Sequence, residues 1–483
     1  TVKAETATDE VVGNLIENGT IENWGYVPVS QGVQTEVSEE FASSGTKSLK
    51  CVNDGTNGSN RAYFPLKNVN LNATYYISAE ARRVGDYVGV GLGLLFFTKN
   101  ANGAIKGYPY MITDNGYGSA GNGQWNKVEG SIKIEFDETA HTLSLTGNKG
   151  SGVKTETTSD VYSADVYFTL IVTNTNSKTA YFDNLTMLEV YDGEVSVEDT
   201  FGNSASDVEV SATDYLGNET VAAKGENGSF IFSGVKGNVS VKATTDGVKV
   251  GDTTLSATNK SAVIKIAKSV AGNFVSHGTA DSGSAAFIDQ GLAAELYSAK
   301  KYSGNSCYRF TPSATDGNRS IVRVNNVKNS AKYYLSAMAN RDSGGQVTIG
   351  LMLECTAASG KVYPTANIGW KSPSQGNEWS EISGDITVNL DGNTLYLNGV
   401  AYSAEIISID ATYFMVESGT TNLYLDDIIM LKYYDGEIAV MDDDGKNVEN
   451  LAFTATDYTG KTENITPVYQ NGVYKFPSLK GVS

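Results

Sequence analysis

Histidine is almost missing from this chain, with His141 and His277 the only two among 483 residues. A Ser–His–Asp or Cys–His nucleophilic site would have to use one of them, and neither recurs in the other copy of the repeat described below, which argues against such chemistry. Cysteine is equally scarce. Cys51, Cys307 and Cys355 are odd in number and lie far apart, so no disulfide framework is expected. At most Cys307 and Cys355 could pair; the preferred reading is buried thiols acting as small hydrophobes, since Cys355 ends the apolar run "TIGLMLEC". There is no Cys/His spacing for zinc and no Gly-rich phosphate loop between a strand and a helix, and "GVGLG" at Gly89 reads as strand interior. Positive charge is short as well: 36 Lys and Arg against 55 Asp and Glu leave a net charge of −19, which repels a phosphate backbone. The longest apolar run, "VGVGLGLLFF" from Val88, is half of the roughly 20 residues that a spanning helix needs, so neither nucleic acid nor membrane insertion is expected. The opening "TVKAETATDEVV" has no Met, basic segment or apolar segment and reads as a processed or recombinant start.

What is present is Thr, Val, Ser, Asn, 51 Gly and 28 Tyr, without long stretches of helical spacing. Such a composition points to an all-β, turn-rich protein. The chain also repeats itself. "NLIENGTIENW" from Asn14 returns as "NFVSHGTADSG" from Asn273, "NATYYISAEARR" as "SAKYYLSAMANR", "WNKVEGSIKI" as "WSEISGDITV", and "AYFDNLTMLEVYDGEVSV" as "LYLDDIIMLKYYDGEIAV". A smaller repeat follows each large one: "SATDYLGNET" with "NGSFIFSGVKG", then "TATDYTGKTE" with "NGVYKFPSLKG". The expected organisation is two large modules at 13–190 and 271–433 alternating with two small domains at 191–270 and 434–483. The last small domain is expected to be truncated, the chain being a monomeric fragment of a larger protein.

In "YYISAEAR", Tyr76, Ser78, Glu80 and Arg82 share one face and Tyr75, Ile77, Ala79 and Ala81 the other, the period of a half-buried strand. Clusters such as Asn53–Asn60 supply turns. Many strands without helical crossovers give tandem antiparallel β-sandwiches. The tract "GLAAELYSAKKY" at Gly291 has a helix-like pattern, but its counterpart at Gly32 does not.

The ordered set "NL-x-x-NG-x-x-E", "YY-x-S-x-x-x-R", "W-x-x-V-x-G-x-I" and "Y-F-D-N-L-x-M" resembles the jelly-roll carbohydrate-binding modules of families four, nine and twenty-two, across both large modules. The resemblance implies a structural calcium ion held near Glu22 and Asp183 in the first module and near Asp281 and Asp426 in the second, a hard cation drawing together chain start and chain end. The alternative is that these acids are solvated edge-strand carboxylates. Asp replaces Glu in the second copy, and Asp427 adjoins Asp426, so the implied coordination differs there. The small domains are similar to carboxypeptidase-regulatory, transthyretin-like or immunoglobulin-like sandwiches, which space and stiffen.

Sugar rings stack on aromatic faces, and their hydroxyls need planar polar partners. Trp125 and Trp379 occupy matching strand positions and read as core. Tyr108, Tyr110 and Tyr117, with Tyr363 and Trp370 in the matching Gly-rich segment, read as ligand contacts, the alternative being core packing or a contact between domains. Glu80 and Arg82, facing Asn340 in the second copy, are candidates on the strand face that the resemblance makes concave, and Trp24 and Tyr26 are candidates that could instead cap the sandwich. Four Trp in all argue against a flat crystalline-cellulose platform, leaving xylan, β-glucan or starch α-glucan. The acids that recur between copies fall at the implied calcium and turn positions, so no glycosidase pair is expected. The expectation is a non-catalytic, extracellular polysaccharide-binding protein. The rival is a structural or adhesive surface stalk that binds a protein partner.

Overall fold

The computed structural model describes residues 10–54, 60–148, 152–173, 178–225, 228–281, 283–313 and 318–481; most of the Asn53–Asn60 turn cluster lies outside the described residues. The chain is all-β, with no α-helix among the described residues. The tract at Gly291 is the strand Leu292–Tyr297, and Cys51, Cys307 and Cys355 are buried free thiols.

The first large module is two facing antiparallel sheets. The front sheet orders strands Val29–Gln31, Arg61–Pro65, Ser163–Val172, Gly89–Lys99 and Tyr110–Ile112. The back sheet orders Val33–Ser38, Ser48–Asn53, Thr179–Asp199, Ala73–Arg83, Asn126–Asp137, Thr142–Asn148 and Val153–Ser159. Alternation fills the space between them: Tyr75, Ile77, Ala79 and Ala81 from the back, and Phe64, Val90, Leu92, Leu94, Phe96 and Phe168 from the front, form one buried cluster. The second module repeats the plan, with Ile288–Gln290, Arg319–Val324, Ile406–Ser418 and Val347–Ala357 in front and Leu292–Tyr297, Cys307–Pro312, Leu423–Ile438, Ser330–Arg341 and Ser380–Asp391 behind.

The repeated opening phrase has a mechanical reason. The closing strand of each module bulges against its neighbour, between Asp183 and Thr186 in the first and beside Ser336–Met338 in the second, with Asn184 and Asp427 at φ 52° and 48°. A bulge leaves ladder groups without partners. Asn14 supplies them, donating to the Leu185 carbonyl at 2.9 Å and accepting from the Met187 N–H at 2.8 Å. Asn273 does the same for Ile428 and Met430, at 2.8 Å each. The Leu185 and Ile428 N–H groups donate to the carbonyls of Gly19 and Gly278. Both must be glycine: a Cβ there would lie 2.1 Å from the Leu185 or Ile428 carbonyl oxygen.

No linker separates module from small domain. Thr179–Asp199 closes the first module and then pairs with Phe230–Lys236 and Ser261–Ile266 of the small sandwich, whose core holds Tyr191, Val195, Phe230, Phe232, Val241 and Ile264. Leu423–Ile438 likewise continues to pair with Val473–Lys480. Each small domain also docks on the outer face of its module's back sheet. Tyr215 lies against Tyr76 and Ser78, and Lys236 Nζ sits 4.0 Å above the Tyr76 ring. In the second copy Tyr458 lies 6.1 Å from Tyr334, and Lys480 Nζ sits 4.0 Å above that ring. The back faces are therefore partly covered, and the front sheets remain open.

Candidate functional site

On the front sheet of the first module the residues not pointing into the core are Arg61 and Tyr63; Gly91, Gly93, Leu95 and Phe97; and Tyr167, Thr169 and Ile171. Tyr63, Tyr167, Phe97 and Tyr108 form a continuous aromatic run, with ring centroids 5.6 Å apart for Tyr63–Tyr167, 4.4 Å for Phe97–Tyr167 and 4.8 Å for Phe97–Tyr108. Beside it, Tyr117 covers Gly91: a Cβ on that glycine would stand 3.0 Å from the Tyr117 ring. The Arg61 guanidinium lies over the Tyr110 ring, 4.5 Å from its centroid. Tyr108 is 59% and Tyr117 45% exposed, large apolar rings presented to solvent. Tyr108, Tyr110 and Tyr117 are thus brought together as anticipated. Arg61, Tyr63, Phe97 and Tyr167 were missed, although the doublets Tyr63–Phe64, Phe96–Phe97 and Tyr167–Phe168 carry a signal: alternation must turn one ring of each pair outward.

The second module presents the same face with other chemistry. Gly350 pairs with Asn367 as Gly93 pairs with Ile112, which places Tyr413 at the position of Tyr167, Glu354 at Phe97 and Arg319 at Arg61. Trp370 stands where Tyr117 does, since its neighbour Lys371 exchanges backbone bonds with Val347 as Gly118 pairs with Val90. Trp370 is 49% and Tyr363 54% exposed. Here Arg319 is neutralised, its Nε donating to Glu417 at 2.8 Å with a second N–H on the same oxygen. The Tyr413 hydroxyl donates to Glu354 at 3.2 Å, and Lys361 joins Glu354 to Asp410.

Glu80, Arg82 and Asn340 do not join either face; they lie on the back sheets. Arg82 donates to the Gly123 carbonyl at 2.7 Å and stacks over Phe41, 4.0 Å from its centroid. Asn340 is fully buried and donates to the Gly376 carbonyl at 3.0 Å and to that of Glu378. Both hold the same turn in the two copies. Burial raises the Glu80 pKa, with Lys127 opposing and Glu129 reinforcing the shift. Trp24 and Tyr26 pack on Phe64 at 5.1 and 4.6 Å, closing one end of the core, with an open concavity of about 470 Å³ beside them. Trp125 and Trp379 are half-exposed rather than core: Trp125 Nε1 donates to the Ala42 carbonyl at 3.0 Å, and Trp379 faces Tyr302 at 6.1 Å.

Those two tryptophans brace the loop on which the four carboxylates converge. Glu22 accepts N–H bonds from Thr46 and Lys47 at 2.6 and 2.8 Å, and Asp183 from Ser43 and Ser44 at 2.7 and 3.1 Å. Asp281 accepts from Asn305 and Ser306 at 2.6 and 3.1 Å, and Asp426 from Tyr302 and Ser303 at 3.0 and 3.1 Å. Burial pushes Asp183 up to about 6 and raises Asp281 and, with the charge of Asp427 beside it, Asp426. At Glu22 burial also raises the pKa, but the bonds from Thr46 and Lys47 outweigh it, and the net shift is downward. The second Asp281 oxygen is buried without a hydrogen-bond partner. Among the described residues no three acidic, histidine or cysteine side chains stand close enough to hold a metal by themselves.

Residues 272–399 match the family model of a carbohydrate binding domain. Among solved structures the chain is similar to the tandem CBM22-1–CBM22-2 domain of Paenibacillus barcinonensis Xyn10C, at 13% identity over 88% of this chain and 99% of that one, with a TM-score of 0.26. The CBM22-1 xylan-binding domain of the same protein matches at 17% identity over 38% and 97%, TM-score 0.25. The C-terminal family 22 module of Clostridium thermocellum Xyn10B matches at 15% over 37% and 96%, TM-score 0.25. No curated protein matches the chain.

Proposed function

We propose that each large module binds a polysaccharide chain, without catalysis, on the open face of its front sheet. The observation that carries this reading is the recurrence, at one position in both copies, of a half-exposed aromatic, Tyr117 and Trp370, on a sheet already floored by rings or by hydrogen-bonding groups. Flat rings take the C–H faces of sugars, while Arg61, Asn367, Glu354 and Tyr413 supply planar or hydroxyl partners. The carbohydrate binding domain match over 272–399 supports it for the second module. The glycan is a single soluble chain such as xylan, β-glucan or starch, met outside the cell, and two sites on one chain raise avidity when both engage one polymer.

Calcium belongs to this proposal. Asp281 and Asp426 in the second module, like Glu22 and Asp183 in the first, are the side chains that would meet it, each already accepting two backbone N–H bonds; the second module adds a buried Asp281 oxygen without a partner, and oxygens other than carboxylates would have to complete either site. The ion would neutralise clustered buried carboxylates behind the front face.

Affinity electrophoresis of the intact chain through gels carrying xylan, barley β-glucan or amylopectin, with and without EDTA, tests the reading. Retardation in at least one gel is expected. Tyr117→Ala and Trp370→Ala should each weaken it roughly tenfold, about 1.4 kcal/mol, and together abolish it with unchanged circular dichroism. Undiminished retardation of the double variant would sink the assignment of the face.

A further inference from the structure

We infer that the front face of the first module selects glycans bearing a uronic-acid carboxylate, with Arg61 as the specificity-determining residue, whereas the second module takes neutral chains. The inference rests on the proposed glycan-binding role of the two faces and goes beyond it by separating their ligands. The two arginines occupy one register position, Arg61 opposite Ile171 and Arg319 opposite Glu417. That single difference decides their charge. Arg319 is neutralised by two N–H bonds to the Glu417 carboxylate. Arg61 faces an aliphatic side chain instead, and no carboxylate lies within ion-pair distance of it among the described residues.

Arg61 is not an ordinary solvated surface cation either. It is half-buried on the sheet and stacked on Tyr110, and its charge reaches the Tyr117 phenol. Stacking fixes the guanidinium plane and leaves its N–H edges directed sideways, the fork that accepts a carboxylate with two parallel bonds. Tyr117 and Tyr110 flank it with the rings on which a pyranose would rest. A sugar carboxylate would therefore meet one uncompensated, partly dehydrated cation between two rings. The chain's net charge of −19 acts against this only at long range, since charges more than about 8 Å apart are largely screened at physiological ionic strength.

The test uses matched polymers: glucuronoxylan against its carboxyl-reduced form, where the acid is a branch, and polygalacturonate against its methyl ester, where it is the backbone. Binding is measured by isothermal titration calorimetry on the full chain carrying Trp370→Ala, so that the first module reads out alone. The acidic member of at least one pair should bind roughly tenfold tighter, the margin of one charge-assisted fork, and the preference should shrink in high salt. Arg61→Met should remove the preference, and Ile171→Glu, which copies the ion pair of the second module, should remove it while the guanidinium stays in place. Conversely Glu417→Gln, in a chain carrying Tyr117→Ala, should create an acidic preference in the second module. Equal affinity within both pairs overturns the inference and leaves glycan binding standing. No binding of any of the four polymers overturns the inference, and the reading beneath it falls as well only if the β-glucan and amylopectin gels also fail to retard the chain.

Discussion

At the scale of single residues the two sides of one strand teach different lessons. Strict alternation in "YYISAEAR" correctly separates Tyr75, Ile77, Ala79 and Ala81, which enter the core, from Tyr76, Ser78, Glu80 and Arg82, which do not. It cannot say what covers the outward set, because Tyr215 and Lys236 arrive from about 140–160 positions further along the chain. Glu80 is consequently a carboxylate in a partly closed interface on the back sheet, away from the front face. Its folded pKa is raised, chiefly by desolvation. Any stability linked to its protonation is therefore fully present below the unfolded pKa, near pH 4, and lost as pH rises through the folded value. Glu80→Gln, which abolishes the ionised form, should raise the first unfolding transition at pH 7 relative to the parent, with the gap closing as pH falls to about 4. Calorimetric scans at the two pH values check this; a gap that widens toward acid would contradict the assigned sign. The same substitution should leave glycan retardation unchanged.

Elements show where repetition in the sequence was legible but its purpose was not. The tandem architecture was readable because four phrases recur in fixed order, and their period-two spacing specified strands. The role of the Asn14 and Asn273 phrases was not, since the groups they satisfy belong to a bulge about 155–173 residues away. The rings of the front face were partly legible: Tyr117 and Trp370 stood out as large aromatics among glycines, whereas Tyr63, Phe97 and Tyr167 sit in three strands that only pairing makes neighbours. The stitch can be broken from either side. Gly278→Ala would thrust a methyl group against the Ile428 carbonyl and should destabilise the second module by about 2–3 kcal/mol, as overpacking does. Asn273→Ala should cost roughly 2 kcal/mol through two lost backbone bonds. Urea unfolding followed by tryptophan emission, in a chain whose Trp24 and Trp125 are replaced by Phe so that Trp370 and Trp379 report alone, would register both, and a midpoint within error of that parent would refute the stitch.

On the scale of the whole molecule the small domains are joints as well as spacers. The turn after Asp199 reaches the second unit, where Asn203 donates to the Thr459 carbonyl at 2.7 Å and Phe201 meets Tyr458 edge-on at 5.7 Å. Asn305 donates to the Lys249 carbonyl at 2.8 Å, and Lys265 Nζ to the Tyr302 hydroxyl at 3.0 Å. Phe201→Ala combined with Asn203→Ala should loosen this junction without unfolding any sandwich. X-ray scattering should then show a larger maximum dimension, and avidity for a long polymer should fall several-fold while affinity for a short oligosaccharide holds. An unchanged scattering curve would mean that the remaining contacts suffice.

The two closing strands have a consequence under load. Because Thr179–Asp199 and Leu423–Ile438 each serve two sandwiches without a break, a pull between a captured polymer and the rest of the chain passes along the strand axis. Antiparallel hydrogen bonds lie perpendicular to that axis, so the ladder is sheared as a set instead of being unzipped one rung at a time. At the joint between module and spacer the load is carried by an unbroken strand, so tension should open the protein there only by shearing whole ladders.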